Sequence, residues 1–325
     1  MEIDTVLDTV YTGPDVVFTT QLKQQDGSQY FCKQLPIAYQ QDERRLQQFD
    51  QEITFMESLD ENQGVLKGNR GKAIGGNPAV VYDYEEYYSV SRVVNDSVTA
   101  DQRIPLSLGI NWSLSIIESI EQLIAAAEEL GKSEIDIAIW PDTLFIDGSG
   151  YLRVTHFNLN APPSISSSII KHDLKRYFLY AAPEQVIAGY VPDERALYFA
   201  LGMLIFELLT SKPLFTNHTS VDSKQVVRRK LRMLHPLLSD VDSRLEPLNF
   251  TINKLLTPHP DNRLTHLAPV KDQLLEIAQQ LKTFSGQNIA TAFHDFRDKL
   301  SIHLDKTYQS GSQYETTNIN EFNAS

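Results

Sequence analysis

Cysteine is almost absent from this sequence, which contains only Cys32 among its 325 residues. A single thiol excludes an internal disulfide and a metal site built from several cysteines, and it is typical of a reducing compartment. Long apolar runs are absent as well. The longest, residues 198–210, has about 13 residues and contains Glu207, so it is too short and too polar for a membrane span. The opening MEIDTVLDTV lacks the basic and apolar segments of a signal peptide, and we therefore expect a cytoplasmic protein without membrane contact.

Positive charge is also scarce. The chain has 29 Lys and Arg against 42 Asp and Glu, which gives a formal net charge of −13. Such a balance disfavours binding to nucleic acid, because phosphate backbones are held by an excess of positive charge. What is present is an ordinary globular composition, with 42% hydrophobic residues, which can build a sizeable core. The length predicts one two-lobed domain or two small domains.

The first part of the chain has the pattern of β-strands. Strand-like runs occupy residues 6–11, 16–22 and 30–35, and Asp26-Gly27 is a turn signal between the last two. A helix is predicted at about 41–59, where apolar residues recur at helical spacing. Two more strand-like runs surround the glycine-rich residues 68–78. We therefore expect a five-stranded sheet with one helix in residues 1–85.

The remainder is predicted to be mostly helical. Helices are indicated from about 105 to Gly131 and at about 195–210, 222–235, 245–256 and 266–283, and short strands are expected within 135–160. An amphipathic helix is predicted at 286–308, either packed on the helical part or lying in a partner's groove. Residues 309–325 are polar, and we expect them to be disordered.

Several motifs, spread over about residues 5–285, resemble those of protein kinases and follow one another in the same order as in that family. Lys33 in YFCK matches the strand lysine that binds phosphates, and Glu52 matches the helix glutamate that pairs with it. The sequence YAAPEQ contains Ala-Pro-Glu with Glu184, and Arg263 is the arginine expected to pair with that glutamate. The resemblance implies an α+β, bilobal protein-kinase-like fold. Its N-lobe, residues 1–85, would be a small antiparallel β-sheet with one helix, and its C-lobe, residues 86–285, would be mainly helical.

The resemblance also shows which catalytic residues are replaced. Ala138 stands where protein kinases have the aspartate that accepts the substrate proton. Thr143 and His156 stand where they have the asparagine and aspartate that bind Mg²⁺. Alanine accepts no proton, and a histidine nitrogen is a poor ligand for Mg²⁺, which prefers carboxylates. We therefore expect a catalytically inactive pseudokinase that is not an enzyme, with no metal site and no cofactor.

By the resemblance, the nucleotide pocket is expected to be filled by protein side chains, those of Phe18, Phe31, Phe145 and Tyr82. Phe18, Phe31 and Phe145 correspond to positions at which protein kinases have small or aliphatic side chains around the adenine base. Tyr82 corresponds to a position beside the hinge between the lobes. A phenylalanine buries roughly 150–250 Å² of surface, so three could fill a slot the size of adenine. They could also be ordinary core residues. The pair Lys33 and Glu52 could act as a phosphate clamp, but a structural ion pair is the favoured interpretation, and His156 is expected to be a hydrogen-bonded loop residue.

Two segments are candidates for partner contacts. Five basic residues are predicted on one helix of this acidic chain, where they form either a solvated face or a docking site: Lys224, Arg228, Arg229, Lys230 and Arg232. The serine-rich residues 161–175 correspond to the activation loop of kinases, and they could be phosphorylated or simply solvated.

The expected function is a protein-binding scaffold or allosteric regulator in signalling. Its partners would be proteins, possibly an active kinase, and not nucleic acid or membranes. One alternative is a kinase-fold enzyme with rearranged phosphoryl- or nucleotidyl-transfer chemistry, for which Asp136 and Asp142 are the available carboxylates. The other is a metal-independent nucleotide sensor that relies on Lys33.

Overall fold

The computed structural model of the chain describes residues 5–12, 17–23, 27–59, 64–73, 76–83, 87–129, 131, 139–155, 179–186, 194–215, 230–232, 235–282 and 286–309. The serine-rich residues 161–175, most of the helix predicted at 222–235 and the tail from residue 310 onward lie outside these ranges.

The N-terminal strands form one antiparallel sheet. Its five strands lie in the order β1-β2-β3-β5-β4, and each neighbouring pair is antiparallel. Three strands correspond closely to the runs predicted from the alternating sequence. The bounds are β1 (Thr5–Thr12), β2 (Val17–Lys23), β3 (Ser28–Gln34), β4 (Asn69–Lys72) and β5 (Pro78–Asp83).

One helix packs on this sheet, as predicted. Helix α1 (Glu43–Ser58) begins after Asp42, whose side chain accepts a hydrogen bond from the backbone N–H of Arg45 at 3.1 Å and so caps the helix. Its apolar residues recur at helical spacing, which turns one stripe of the helix toward the sheet. That stripe buries Phe49, Glu52, Ile53, Phe55 and Met56.

A second, small sheet follows. It consists of β6 (Tyr88–Ser89), β7 (Leu144–Ile146) and β8 (Leu152–Val154), paired antiparallel in that order. The segment before β4 is joined to this sheet, because the N–H of Val154 donates to the carbonyl of Gly64 at 2.9 Å and that of Leu66 to the carbonyl of Val154 at 3.0 Å. The two sheets are therefore connected by backbone hydrogen bonds as well as by the chain.

The rest of the described chain is mostly helical. One helix, α2 (Val90–Thr99), was not predicted, because its sequence is rich in valine, serine, asparagine and threonine, which are poor helix formers. It is capped by Ser89, which accepts from the N–H of Arg92 at 3.2 Å. The others are α3 (Leu106–Glu129), α4 (Pro183–Val186), α5 (Glu194–Thr210), α6 (Leu248–Leu255), α7 (Ala268–Leu281) and α8 (Gly286–Gln309).

Helix α5 is the centre of this half. It is apolar on all sides and buried over nearly its whole length, and it contacts α3 and α6. Gly109 lets α3 approach it closely, because a Cβ at that position would lie 2.8 Å from the carbonyl oxygen of Leu208. No helix within the described ranges combines the length and the apolar character that crossing a membrane would require.

Helix α8 packs against α2 and α3, so the structure favours packing on the helical part over the alternative of a free helix. Phe293, Phe296 and Leu300 are buried there. An antiparallel sheet with one helix, followed by a mostly helical half, confirms the predicted α+β class.

Candidate functional site

A buried ion pair joins the first sheet to α1. The ammonium of Lys33, on β3, donates to a carboxylate oxygen of Glu52 in α1, and both side chains are buried. The same ammonium donates to the backbone carbonyl of Thr155, just after β8, at 3.0 Å. Lys33 therefore connects the first sheet, the helix and the second sheet at one point. Lys33 and Glu52, which lie 19 positions apart in the sequence and were predicted to pair, are therefore in contact.

Three phenylalanine rings meet beside Lys33, and we call Phe18, Phe31 and Phe145 the aromatic cluster. The rings of Phe18 and Phe31 are stacked, with centroids 5.6 Å apart and planes 9° from parallel. Phe145 contacts both, with centroids 4.9 Å from Phe18 and 5.2 Å from Phe31. All three side chains are buried, and the Lys33 ammonium lies 6.0 Å from the centroid of the Phe18 ring. The cluster thus takes two rings from the first sheet and one from the second.

Strand register explains why these rings meet. Phe18 on β2 lies opposite Lys33 on β3, so Phe31 is its diagonal neighbour on the same face of the sheet. Phe31 in turn lies opposite Tyr82 on β5, and their centroids are 5.7 Å apart. The ring of Tyr87 covers Phe31 from another side at 4.9 Å. Burial, reinforced by the nearby negative charge of Glu52, raises the pKa of Tyr82 well above its ordinary value, so its phenol stays neutral.

Thr143, which the motif resemblance aligns with the metal-binding asparagine of kinases, is buried in the turn before β7. Its hydroxyl donates to the carbonyl of Trp140 at 3.0 Å and accepts from the N–H of Trp140 at 3.2 Å. The hydroxyl therefore stabilises the turn. Ala138, His156 and Asp136 lie outside the described residues.

The three rings leave no room for a base between any two of them. A base between two stacked rings would need about 7 Å of separation, twice the optimal carbon–carbon distance of roughly 3.5 Å. The aromatic cluster is packed more closely than that, with centroids 4.9–5.6 Å apart. Within the described ranges, no group of three or more His, Cys, Asp or Glu side chains could hold a metal ion.

Glu184 and Arg263 form a bidentate ion pair in the helical half. The two guanidinium nitrogens lie 2.6 and 2.9 Å from the two carboxylate oxygens, and both side chains are buried. The guanidinium also donates to the carbonyls of Thr257 and Pro258, at 3.0 and 3.1 Å. The pair joins α4 to the segment after α6, which is a structural role.

One of the five basic residues is not on an exposed face. Lys230 is buried, its ammonium donates to the carbonyl of Ala181, and it lies 5.6 Å from the ring centroid of Phe199. Burial lowers the pKa of Lys230 well below its ordinary value, an effect that the charge of Glu184 opposes. The expectation that Lys230 belongs to a docking face is therefore corrected. Arg232 is exposed, whereas Lys224, Arg228 and Arg229 lie outside the described residues.

Sequence reasoning missed a buried acid in α5. Glu207 accepts a hydrogen bond from the phenol of Tyr180. Burial raises the pKa of Glu207 to about 7, the hydrogen bond from Tyr180 opposes the rise, and the charge of Asp142 adds to it. The signal in the sequence was a single carboxylate in an otherwise apolar run, which marks a polar contact but does not identify the partner.

The chain is similar in sequence to several proteins named as kinases, although no family model matches it. It is 23% identical over 188 residues to a probable cell division protein kinase of Encephalitozoon cuniculi, covering 55% of this chain and 67% of the relative. It is 30% identical over 135 residues to protein kinase 3 of Dictyostelium discoideum and 27% identical over 220 residues to the serine/threonine-protein kinase PrkC of Bacillus subtilis. These two matches cover 39% and 65% of this chain but only 14% and 30% of the relatives.

The names of these relatives contradict one expectation. Because Ala138, Thr143 and His156 replace catalytic residues, we expected that the chain is not an enzyme. All three relatives are named as protein kinases, which points to an enzyme, so that prediction is wrong on this finding. One fold can support catalysis by side chains other than the usual ones. The replacement of the usual catalytic residues was therefore not sufficient to predict that the chain is not an enzyme.

The fold is also similar to solved structures. The PknI kinase domain of Mycobacterium tuberculosis aligns with a TM-score of 0.52 at 17% identity, over 84% of this chain and 95% of that one. A second structure of the same domain aligns with a TM-score of 0.55, also at 17% identity, over 85% and 95%. At this level of identity the likeness concerns architecture. The chain therefore has the bilobal α+β fold of protein kinase domains.

Proposed function

We propose that this chain is a kinase-fold signalling regulator that acts by binding other proteins, as a scaffold or an allosteric regulator. The observation that carries the proposal is the aromatic cluster. In the protein-kinase fold, adenine lies between the lobes, and we assign that place to Phe18, Phe31 and Phe145, whose rings contact one another. Protein side chains would thus do what a bound base does elsewhere, which is to hold the two lobes together.

The contacts around the cluster support a fixed arrangement of the lobes. Phe145 comes from the second sheet and its two partners from the first. Lys33 makes the same connection through polar groups, since it pairs with Glu52 and donates to the Thr155 carbonyl. Lobes that are held together by the chain's own side chains would be suited to presenting surfaces to partners, because little conformational freedom would be lost on binding.

The partners we propose are proteins, such as an active kinase or another signalling protein. The net charge of −13 disfavours nucleic acid. Arg232, with Lys224, Arg228 and Arg229, remains the proposed docking face, and Lys230 is no longer part of it.

A thermal-shift titration with ATP, with and without Mg²⁺, tests the occupied cleft. We expect no dependence of the melting temperature on ATP concentration, because the base has no place to stack. Phe31→Ala, which removes the central ring, is the matched comparison. A concentration-dependent rise for the wild-type chain would contradict the proposal, since a ligand that binds the folded state stabilises it. A rise without Mg²⁺ would favour a metal-independent nucleotide sensor that uses Lys33.

The second candidate is an enzyme of the kinase fold with rearranged phosphoryl- or nucleotidyl-transfer chemistry. The names of the relatives favour it, and so does the retained pair of Lys33 and Glu52. Asp142, buried directly before Thr143, is the carboxylate that such chemistry would use. Its test is transfer of label from ATP to a protein, with the phosphate and the adenine labelled separately to distinguish the two reactions. Transfer that Asp142→Asn abolishes would establish this candidate, and no transfer would dismiss it.

A further inference from the structure

Among the buried side chains of the C-terminal helix α8, Phe293 makes ring contacts with two other elements. Phe293 packs edge-on against Tyr88 on β6, with centroids 5.7 Å apart, and against Trp112 on α3, at 6.2 Å. Phe293 is buried, although α8 is the last of the described helices. Helix α8 is therefore fastened where the second sheet meets α3.

The turn between β7 and β8 is shaped to receive this ring. Gly150 has a φ of 84°, and a Cβ at that position would lie 2.6 Å from the Cβ of Phe293. The indole N–H of Trp112 donates to the carbonyl of Gly150 at 2.8 Å. Only glycine combines this backbone conformation with the close approach of α8. The turn, α3 and α8 are thus in mutual contact.

That turn is rigidly connected to Phe145. Asp147 accepts hydrogen bonds from the N–H groups of Ser149 and Tyr151, both at 3.0 Å, and pairs with Arg153 at 3.0 Å. Asp147 follows Phe145 by two residues, and Ile146 between them is buried like the rest of β7. The turn and the ring of Phe145 in the aromatic cluster are therefore connected through a short, buried stretch of chain.

The segment at β6 provides a second connection. Tyr88, which contacts Phe293, is next to Tyr87, whose ring lies 4.9 Å from Phe31 in the cluster. Successive side chains of an extended segment point to opposite sides, so these neighbours face α8 and the cluster respectively. Ser89 is paired with Phe145 in the sheet register. Two sets of contacts therefore connect Phe293 to the cluster, one through the β7–β8 turn and the other through Tyr87 and Tyr88.

We propose that α8 is a C-terminal clamp, which holds the aromatic cluster in the cleft through the β7–β8 turn and through Tyr87–Tyr88. Undocking of Phe293 frees the turn and β6 together, and the cluster loses its support from the second sheet. The state of α8 then decides whether the cleft is closed. This inference rests on the proposed function, because it concerns how the same cleft is kept filled.

Hydrogen–deuterium exchange of the full chain tests the clamp. Phe293→Ala is expected to cause loss of protection in α8 and also in residues 144–154 and in the strands that carry Phe18 and Phe31. Phe250→Ala, the same substitution at a side chain that is 67% exposed, is the control and should change none of these segments. Loss of protection confined to α8 and residues 87–89 would overturn the proposal.

The fold of the variants is monitored through the single thiol. Burial raises the pKa of Cys32 to about 12 and keeps the thiol unreactive, so thiol labelling reports opening of the first sheet. If Phe293→Ala exposes Cys32, the milder Phe293→Leu takes its place in the same exchange experiment. The coupling must also be reciprocal, so Phe145→Ala is expected to reduce protection of α8. Unchanged protection of α8 in that variant would count against the clamp.

A fluorescent ATP analogue separates the failure of the clamp from that of the proposed function. Binding by the wild-type chain would contradict the filled cleft, whatever the exchange data show. Absence of binding by the wild type, together with unchanged exchange in the cluster strands of Phe293→Ala, would refute the clamp alone. Binding gained in both Phe293→Ala and Phe31→Ala would support the clamp directly.

Discussion

The ammonium of Lys33 donates to the backbone carbonyl of Thr155 at 3.0 Å, so a side chain of the first sheet is bonded directly to the segment that leaves the second. In a fold whose two parts can move relative to each other, such a bond fixes their separation. The aromatic cluster lies beside it and does the same through apolar contact. Polar and apolar connections between the sheets thus coincide in one place.

Truncating the ring that the second sheet contributes should destabilise the protein strongly. Phe145→Ala removes contacts with Phe18 and Phe31 and leaves a cavity, and such changes cost about 3–5 kcal/mol. Chemical denaturation measures the loss in free energy of unfolding. Phe250→Ala, at an exposed position, is the matched control and should cost far less. Equal losses for the two variants would show that Phe145 is not a central contact.

Breaking the buried ion pair from one side should cost more than removing it entirely. Lys33→Met leaves the carboxylate of Glu52 buried without its partner, a change that typically costs about 3–5 kcal/mol. The double variant Lys33→Met/Glu52→Leu removes both charges and should recover part of this loss. Lys72→Met, at an exposed lysine on β4, serves as the control. A double variant that is as unstable as the sum of the two single variants would contradict a direct interaction.

Glu207 should make stability fall as the pH rises. Burial raises its pKa in the folded state from 4.5 to about 7, so the folded protein holds a proton that the unfolded chain has lost. The stabilising contribution of this group is complete below pH 4.5 and is lost as the pH rises through about 7. Denaturation at about pH 5 and about pH 8 should therefore show a larger decrease for the wild type than for Glu207→Gln. The exposed Glu246→Gln should behave like the wild type, and identical pH profiles for all three would disprove the prediction.

Lys230 should have the opposite dependence on pH. Burial lowers its pKa below the ordinary 10.5, so between the two values the unfolded chain binds a proton that the folded chain does not. Its contribution to stability is present above pH 10.5 and is lost as the pH falls through the folded-state pKa. Replacing it by methionine should remove this dependence, which unfolding measured between about pH 9 and about pH 10, directly below the ordinary pKa, would reveal. The exposed Lys212→Met is the control, and it should retain the slope of the wild type.

Local patterns predicted much of the architecture. Alternation of apolar residues located three strands of the first sheet, and helical spacing located α1, α5 and α7 to within about two residues. Helix α2 was missed because its residues have low helix propensity, and its packing against β6 and β7 overrides that preference.

The candidate site was predicted unevenly. The pairs Lys33 with Glu52 and Glu184 with Arg263 followed from a resemblance in motif order, and the structure brings each pair together. The prediction that Lys230 lies on an exposed docking face was wrong, because a run of basic residues does not indicate which of them is buried. The contact of Tyr180 with Glu207 joins residues 27 positions apart, and no local pattern connects them.

The sequence by itself determined most of the strands and helices but not α2, the replaced residues at 138, 143 and 156, and the presence of large rings at 18, 31 and 145. These depend on residue identity and on short-range spacing. Only the tertiary structure decided that the three rings meet, that Lys230 is buried and that Phe293 of α8 contacts the β7–β8 turn. Those outcomes depend on contacts between distant parts of the chain, whose geometry arises only when the sheets and helices pack together.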